Sequence, residues 1–302
     1  MTDFDDEFRF LQGDADLVGR SGPLPEVRRV SITAPDGRSV SALQFQPAQA
    51  PAYAFVHGMG LNAHGFDPVA LRLGVPALSI DLPGHGRSDW RDDANYGPDM
   101  LAPDLVAMLA AYAPEPFTLV GHSLGALSAV LAATAVSDRL RGLILVDITP
   151  GVRLQSDAGA ISDFISGQRD FASLDEMVDR AIAYGIGEDR DALMRGVALN
   201  SRRRADGRWE WAHHFAHMEG SPTDGFGDGE PFAPLWAPLA ELAAGGVPIS
   251  LIHASDGIVR SEQVEQWHER FPESKTIEVA GPHNLHEGAP VALAEAIEQL
   301  RA

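Results

Sequence analysis

The residues best able to do chemistry surround Ser123, at the centre of the sequence GHSLG in residues 121–125. An apolar run at 117–120 precedes it and an Ala- and Leu-rich stretch to about Val136 follows, so the pattern predicts a strand, a sharp turn and a helix. A serine at such a turn lies above a sheet edge at a helix N-terminus, where its hydroxyl can act as a nucleophile. The pentapeptide alone is weak evidence in a chain with 30 glycines, so the remaining sequence must supply what the serine needs.

A nucleophilic serine needs a histidine base to take its proton and a carboxylate to orient that histidine. Downstream of Ser123, Asp256 lies in the turn after a strand predicted at 248–254, and His283 lies in the turn after a strand predicted at 276–279. This is the chain order that such a serine requires. We therefore predict His283 as the base and Asp256 as the acid. Asp147 also follows a predicted strand and is kept as the alternative acid, while His286 is a less well placed rival of His283.

The chemistry also needs two backbone N–H donors directed at the negative charge that forms on the substrate oxygen. One is expected from Leu124, the residue directly after the serine. The other is expected from Met59, in the turn HGMG at residues 57–60 that follows a predicted strand at 52–56. Both residues are candidates to line the pocket, and Gly58 beside them is a candidate substrate-binding residue.

The elements that must position these residues alternate along the chain. Apolar strands separated by helical patterns, such as the helix predicted at 98–112, indicate a parallel sheet with helices on both faces. Strand texture weakens in the central block, so residues 1–150 and 231–302 are predicted as the core and 151–230 as an inserted, mainly helical cap. The glycine-rich stretch 221–229 is predicted as the loop that leaves this cap.

Aromatic and imidazole side chains are concentrated in the predicted cap. Trp209 and Trp211 either line the pocket or anchor the cap on the core; both readings stay open, and both residues are candidates for substrate binding. His213, His214 and His217 have a spacing that could bind zinc, but no carboxylate pattern accompanies them. No metal site is therefore predicted.

Four motifs occur in one order along the chain: residues 57–60, the sequence DLPGHGRS at 81–88, residues 121–125, and the segments of Asp256 and His283. Together they resemble the α/β-hydrolase fold family, most closely its small actinobacterial (mycobacterial-type) carboxylesterases with a helical cap. The resemblance implies an α/β-hydrolase fold: a mostly parallel central sheet with helices on both faces and an inserted helical cap. It also implies ester hydrolysis.

The expected function is cleavage of a small-molecule carboxylic ester through an acyl-enzyme, by a Ser123, His283 and Asp256 triad and without a cofactor. The same triad could instead hydrolyse a carbon–carbon bond or a lactone, or carry out perhydrolysis, because the shape of the cap decides between these reactions. A third alternative is a ligand-binding receptor with this fold that turns over slowly. Physiological substrate and oligomeric state stay open.

Composition excludes several classes of protein. With 302 residues and 45% hydrophobic content, the chain suits one large domain or a core with an insertion. A net charge of −20 disfavours binding to nucleic acid or to anionic membranes. No apolar run of about 18 residues predicts a membrane span. The acidic start MTDFDDE does not resemble a secretory signal, so a cytoplasmic location is expected.

Overall fold

In the computed structural model, the described residues are 7–153, 164–165, 168–186, 189–219 and 229–301. Their main sheet has eight strands in the order β1-β2-β4-β3-β5-β6-β9-β10. The strands are β1 Val27–Thr33, β2 Ser39–Phe45, β3 Tyr53–Val56, β4 Ala77–Ile80, β5 Phe117–His122, β6 Leu140–Val146, β9 Ile249–Asp256 and β10 Lys275–Pro282.

The sheet is mostly parallel, as predicted. Strand β2 pairs antiparallel with both β1 and β4, whereas every pair from β4 across to β10 is parallel. All six residues of β5 are buried, which explains its continuous apolar pattern, since a strand covered on both faces shows no alternation. Consequently the carboxyl ends of β5, β6, β9 and β10 meet at one edge of the sheet.

Helices cover both faces of this sheet. Outside the segment predicted as the cap, the described helices are α1 Leu11–Leu17, α2 Asp67–Leu73, α3 Pro98–Tyr112, α4 Leu124–Ala135, α7 Trp236–Ala244, α8 Ser261–Arg270, α9 Leu285–Gly288 and α10 Pro290–Gln299. One apolar core packs α3, α4, α7 and α8 on one face, and a second packs α1, α2 and α10 on the other. Within the described part of the chain, no helix is both long and apolar enough to cross a bilayer.

The segment predicted as a cap contains strands as well as helices. Helices α5 Leu174–Ala183 and α6 Arg190–Leu199 are followed by a hairpin of β7 Ser201–Arg203 and β8 Trp209–Trp211, which the sequence analysis missed. Three-residue strands are too short for a periodic signal to register, and tertiary packing forms them. Of the glycine-rich stretch predicted as the exit loop, residues 221–228 lie outside the described residues.

A buried ionic cluster ties α6 to the core. The guanidinium of Arg195 contacts Asp14 of α1 and lies 3.6 Å from the Asp67 carboxylate. Asp67 also accepts a 2.7 Å hydrogen bond from His64 Nδ1, and His64 Nε2 lies 3.3 Å from Glu7 Oε2. Burial alone would lower the pKa of His64, but the Asp67 and Glu7 carboxylates raise it to about 9.

This cluster predicts a loss of stability in alkali. Because the folded pKa of His64 lies above its ordinary value of 6.5, the imidazolium stabilises the fold fully below pH 6.5, and that contribution is lost as pH rises through about 9. Between pH 6 and pH 9.5 the free energy of unfolding of the parent should fall by up to about 3 kcal/mol more than that of His64→Gln. Urea titrations at both pH values measure this, with the exposed His268→Gln as control. Equal pH dependence in parent and His64→Gln would contradict it.

Candidate active site

Ser123 occupies a strained turn between β5 and α4. Its backbone angles are φ 51° and ψ −124°, in the region of positive φ that non-glycine residues rarely adopt. The turn is held from both sides, because Ser123 N–H donates to the Val146 carbonyl and the Ser123 carbonyl accepts from Ala126 N–H at 2.9 Å. Such strain persists only where the surrounding structure fixes it, and it is typical of functional sites.

The two glycines of the pentapeptide are required by close packing. A Cβ added at Gly121 would lie 2.4 Å from Ala126 Cα, and one added at Gly125 would lie 2.3 Å from the His57 carbonyl oxygen. These neighbours are backbone atoms that cannot rotate away. The spacing of glycines around the serine therefore follows from helix α4 pressing against β5 and the end of β3.

We expect Gly125→Ala to destabilise the fold by about 1–3 kcal/mol or more, because the added methyl group overlaps backbone carbonyls. Chemical denaturation followed by circular dichroism measures the change. Gly13→Ala is the matched control, since a Cβ at Gly13 meets nothing within 4 Å, and it should change stability by less than about 1 kcal/mol. Similar stabilities for the two variants would contradict the packing argument.

His283 contacts Asp147. His283 directly follows the end of β10, and its Nδ1 lies 2.7 Å from Asp147 Oδ2. The Asp147 carboxylate is fully buried and also accepts two backbone N–H bonds of 2.9 Å, from Ala254 and Ile258. Three donors therefore fix this carboxylate, and the bond to Nδ1 leaves Nε2 as the ring nitrogen that could take a proton.

The preference for Asp256 as partner of His283 is thereby corrected. Asp256 is exposed, and its Oδ2 accepts a 2.9 Å hydrogen bond from the neighbouring Ser255 hydroxyl. Strand β9 continues to Asp256, two residues beyond the predicted end, so this side chain belongs to the strand rather than to the turn after it. In the sheet register Asp256 lies opposite Pro282.

Two backbone features bring Asp147 to His283 across β9. Asp147, directly after β6, has a positive φ of 48°, and this backbone angle turns the chain sharply. Gly257 leaves room for the carboxylate, because a Cβ there would lie 2.1 Å from Asp147 Oδ2. The glycine after Asp256 was therefore the sequence signal for a close contact at the end of β9.

The turn after β3 lies directly beside the strained turn at Ser123. A Cβ at Gly58 would lie 2.7 Å from His122 Nδ1 and 3.1 Å from Ser123 Cβ. Met59 and Leu124 line the same cavity as Ser123. Leu124 is the first residue of α4, where backbone N–H groups have no partner within the helix.

Buried polar side chains hold this turn in shape. His57 donates from Nδ1 to the Gly58 carbonyl at 2.7 Å and accepts at Nε2 from Leu82 N–H at 3.0 Å. His85 accepts at Nε2 from Gly60 N–H at 3.0 Å, and burial lowers its pKa well below the ordinary value. Both imidazoles thus stay neutral and act as fixed hydrogen-bonding groups.

Asn200 also contacts this turn, and the sequence analysis did not single out its role. Its amide donates to the Gly60 carbonyl and its Oδ1 accepts from Asn62 Nδ2 at 2.9 Å. Asn200 follows α6 and lines the Ser123 cavity. It therefore links the predicted cap to the predicted oxyanion turn, through contacts that lie 138 and 140 residues apart in sequence.

The cavity over Ser123 has a volume of about 720 Å³. Its walls are mainly apolar, and Trp211 is among them. Trp211 also packs edge-on against Phe171 in a small separate apolar cluster within the segment predicted as the cap, so it both lines the cavity and packs inside that segment. Trp209 does not line this cavity; it faces a second cleft, which corrects its tentative place among the substrate-binding residues.

The charges at this cavity have one sign. Among the described residues that line it, the ionisable carboxylates are Asp189, Glu219 and Glu287, and no lysine or arginine is present. Burial raises the pKa of Glu287, and the Arg195 guanidinium and an Asn284 hydrogen bond oppose this. The described lining therefore offers no lysine or arginine to an anionic group.

The buried imidazoles of His213 and His286 near the site are neutral. Burial, with a smaller effect of neighbouring histidines, lowers the pKa of His213 and of His286 to about 3. His213 Nδ1 accepts from Ala216 N–H, whereas His214 Nδ1 lies 2.6 Å from the Tyr96 hydroxyl. His217 Nε2 lies 3.0 Å from the Trp211 carbonyl. These ring nitrogens serve separate hydrogen bonds.

Comparisons with known proteins agree with this architecture. The Alpha/beta hydrolase family matches residues 54–296. Esterase Rv0045c of Mycobacterium tuberculosis is 36% identical over 300 residues, which cover 97% of this chain and 94% of the relative. A solved structure of that esterase has a TM-score of 0.83 and covers 98% of both chains. A structure of E-2-(acetamidomethylene)succinate hydrolase, 20% identical, has a TM-score of 0.75 over 91% of this chain and 99% of its own, and shows the fold alone.

Proposed function

The chain belongs to the alpha/beta hydrolase family, and on that basis we propose that it hydrolyses carboxylic esters with Ser123 as nucleophile, His283 as base and Asp147 as acid. The observation that carries the proposal is the 2.7 Å contact between His283 Nδ1 and the buried Asp147 carboxylate. It occurs at the cavity that also holds the strained Ser123. Ser123 and His283 both line that cavity, which supports their proposed pairing as nucleophile and base.

In the proposed reaction, Ser123 Oγ attacks the ester carbonyl while His283 Nε2 takes the hydroxyl proton. The backbone N–H groups of Met59 and Leu124 hold the oxyanion. The tetrahedral intermediate collapses, the C–O bond to the alcohol breaks, and His283 returns the proton to the leaving alcohol. Asp147 orients the imidazole and stabilises its cation. A water molecule, deprotonated by His283, then cleaves the acyl-serine ester and releases the acid.

Hydrolysis of nitrophenyl esters of increasing acyl length tests the proposal directly. We expect steady turnover, and mass spectrometry of the quenched enzyme should find the acyl group on the peptide that contains Ser123. Absence of turnover with every ester would contradict ester hydrolysis. A stoichiometric burst without further turnover would indicate the slow receptor instead, and turnover confined to lactones or carbon–carbon substrates would indicate those hydrolases.

We further propose that the acyl group is uncharged or cationic. The described lining contains Asp189, Glu219 and Glu287 without a lysine or arginine. An anionic substrate group would lose hydration there and gain no lysine or arginine partner from the described lining. The M. tuberculosis relative is named an esterase, whereas the structural neighbour with a succinate substrate in its name shares only the fold.

Two esters of similar length test this charge preference. The kcat/KM for mono-4-nitrophenyl succinate should be at least about 100-fold below that for 4-nitrophenyl butyrate, because the extra carboxylate must enter an acidic apolar cavity. Glu219→Gln should reduce the difference in kcat/KM between the two esters, while Glu241→Gln, at an exposed position of α7, serves as control. Equal kcat/KM values for the two esters would contradict the proposed preference for uncharged or cationic acyl groups. That result would leave the proposed triad unaffected.

A further inference from the structure

A second cleft lies between the N-terminal segment, the end of β4 and the hairpin β7–β8. Its volume is about 90 Å³, several times the roughly 10–15 Å³ that one water molecule needs. Its described lining shares no residue with that of the Ser123 cavity. The cleft is therefore separate from the pocket proposed for ester hydrolysis.

Positive charge is concentrated at this cleft in a protein whose net charge is −20. The arginines that line it are Arg9, Arg29, Arg87, Arg202 and Arg203. His64 also lines it, and the raised pKa of about 9 keeps that imidazole charged at neutral pH. Among the described lining residues the carboxylates are Glu7 and Asp81, so cations outnumber anions there.

These arginines differ in how far protein carboxylates already pair with them. Arg29 is committed to the protein, through contacts of 2.8 Å with Glu7 and 2.6 Å with Asp81. Arg9 and Arg203 are exposed, and within the described part of the chain neither lies within 4.0 Å of a carboxylate. Arg9 lies over the Phe10 ring, and Arg203 Nε donates to the Gly207 carbonyl at 3.3 Å. Most of their N–H donors thus remain available to a ligand.

Ser201 supplies an independent indication of a ligand. The residue lines the cleft at the start of β7 and is 2% exposed. Its hydroxyl is buried without a hydrogen-bond partner among the described residues. A buried polar group without a partner is costly, and native structures rarely leave one unsatisfied. An acceptor atom bound in the cleft would satisfy this hydroxyl.

We propose that this cleft binds a phosphate-type oxyanion, either free or as the phosphoryl group of a larger molecule. The Ser201 hydroxyl donates to one oxygen, and the guanidinium groups of Arg9, from the N-terminal segment, and Arg203, from the hairpin, bind the others. Arginine donors that converge from separate segments suit an anion with several oxygens in three dimensions better than a planar carboxylate. The bound ion links the N-terminal segment to the hairpin of the cap.

Binding to the full chain tests the proposal. Isothermal titration at constant ionic strength should find saturable binding of inorganic phosphate or of glycerol 3-phosphate, and weaker binding of acetate. Tighter binding of glycerol 3-phosphate would identify a phosphoryl group on a larger molecule, and tighter binding of phosphate would identify the free ion. Ser201→Ala and the double variant Arg9→Gln, Arg203→Gln should each weaken binding about tenfold or more, since hydrogen bonds to charged groups are lost.

Arg190→Gln is the matched control, because Arg190 is an exposed arginine that pairs with Asp175 and Asp179 away from the cleft. It should bind phosphate like the parent. Absence of saturable binding by the parent would overturn the proposal, as would undiminished binding in both cleft variants with their melting temperatures unchanged. Ester hydrolysis is not the readout, so failure here leaves the proposed reaction untouched.

Discussion

Ser123→Ala should lower kcat for nitrophenyl ester hydrolysis by about 10⁴-fold or more, leaving only the residual rate due to binding and the oxyanion donors. The alanine removes the attacking oxygen, and no other hydroxyl lies at the strained turn between β5 and α4 in the described structure. Initial rates under saturating substrate measure the effect. The melting temperature should change little, because the substitution keeps Cβ and removes a half-buried hydroxyl.

Ser137→Ala is the matched control for this variant, since Ser137 is exposed in the turn before β6. It should retain parental kcat. Mass spectrometry adds a second measurement, because the acyl adduct should disappear in Ser123→Ala and persist in Ser137→Ala. Retention of substantial activity by Ser123→Ala would exclude the proposed nucleophile and with it the acyl-enzyme mechanism.

Asp147→Asn should lower kcat by about 10⁴-fold, whereas Asp256→Asn should remain within a few-fold of the parent. The asparagine cannot stabilise the imidazolium formed on His283, and its amide favours the wrong tautomer of the ring. Asp256 is exposed and bonded to Ser255, so its neutralisation leaves His283 in place. The two variants remove the same charge from neighbouring strand ends, which makes each the control of the other.

Stability must be measured together with these rates. The Asp147 carboxylate accepts backbone N–H groups of Ala254 and Ile258, so Asp147→Asn should also lower the melting temperature by disturbing these bonds. Rates are therefore compared at a temperature where both variants are folded by circular dichroism. A larger loss of kcat in Asp256→Asn than in Asp147→Asn would reverse the assignment of the acid.

Local patterns predicted most of the core. The helix at 98–112 has the predicted bounds, and the strand predicted at 52–56 forms at Tyr53–Val56, because apolar runs and flanking breakers act over a few residues. The hairpin β7–β8 was missed, since three-residue strands carry little periodic signal. Strand β9 was predicted to end at residue 254, and that error placed Asp256 in the turn after the strand.

The sequence alone determined the fold family and identified Ser123 and His283 as candidates. Both the turn at Ser123 and the ends of the strands are signalled by residues that are contiguous in sequence. Only the tertiary structure decided which acid reaches His283, which tryptophan lines the Ser123 cavity, and that Asn200 braces the turn after β3. These contacts join residues separated by more than 80 positions. They depend on where neighbouring strands end and where a glycine leaves space. Local sequence propensity does not encode contacts between residues so far apart in the chain.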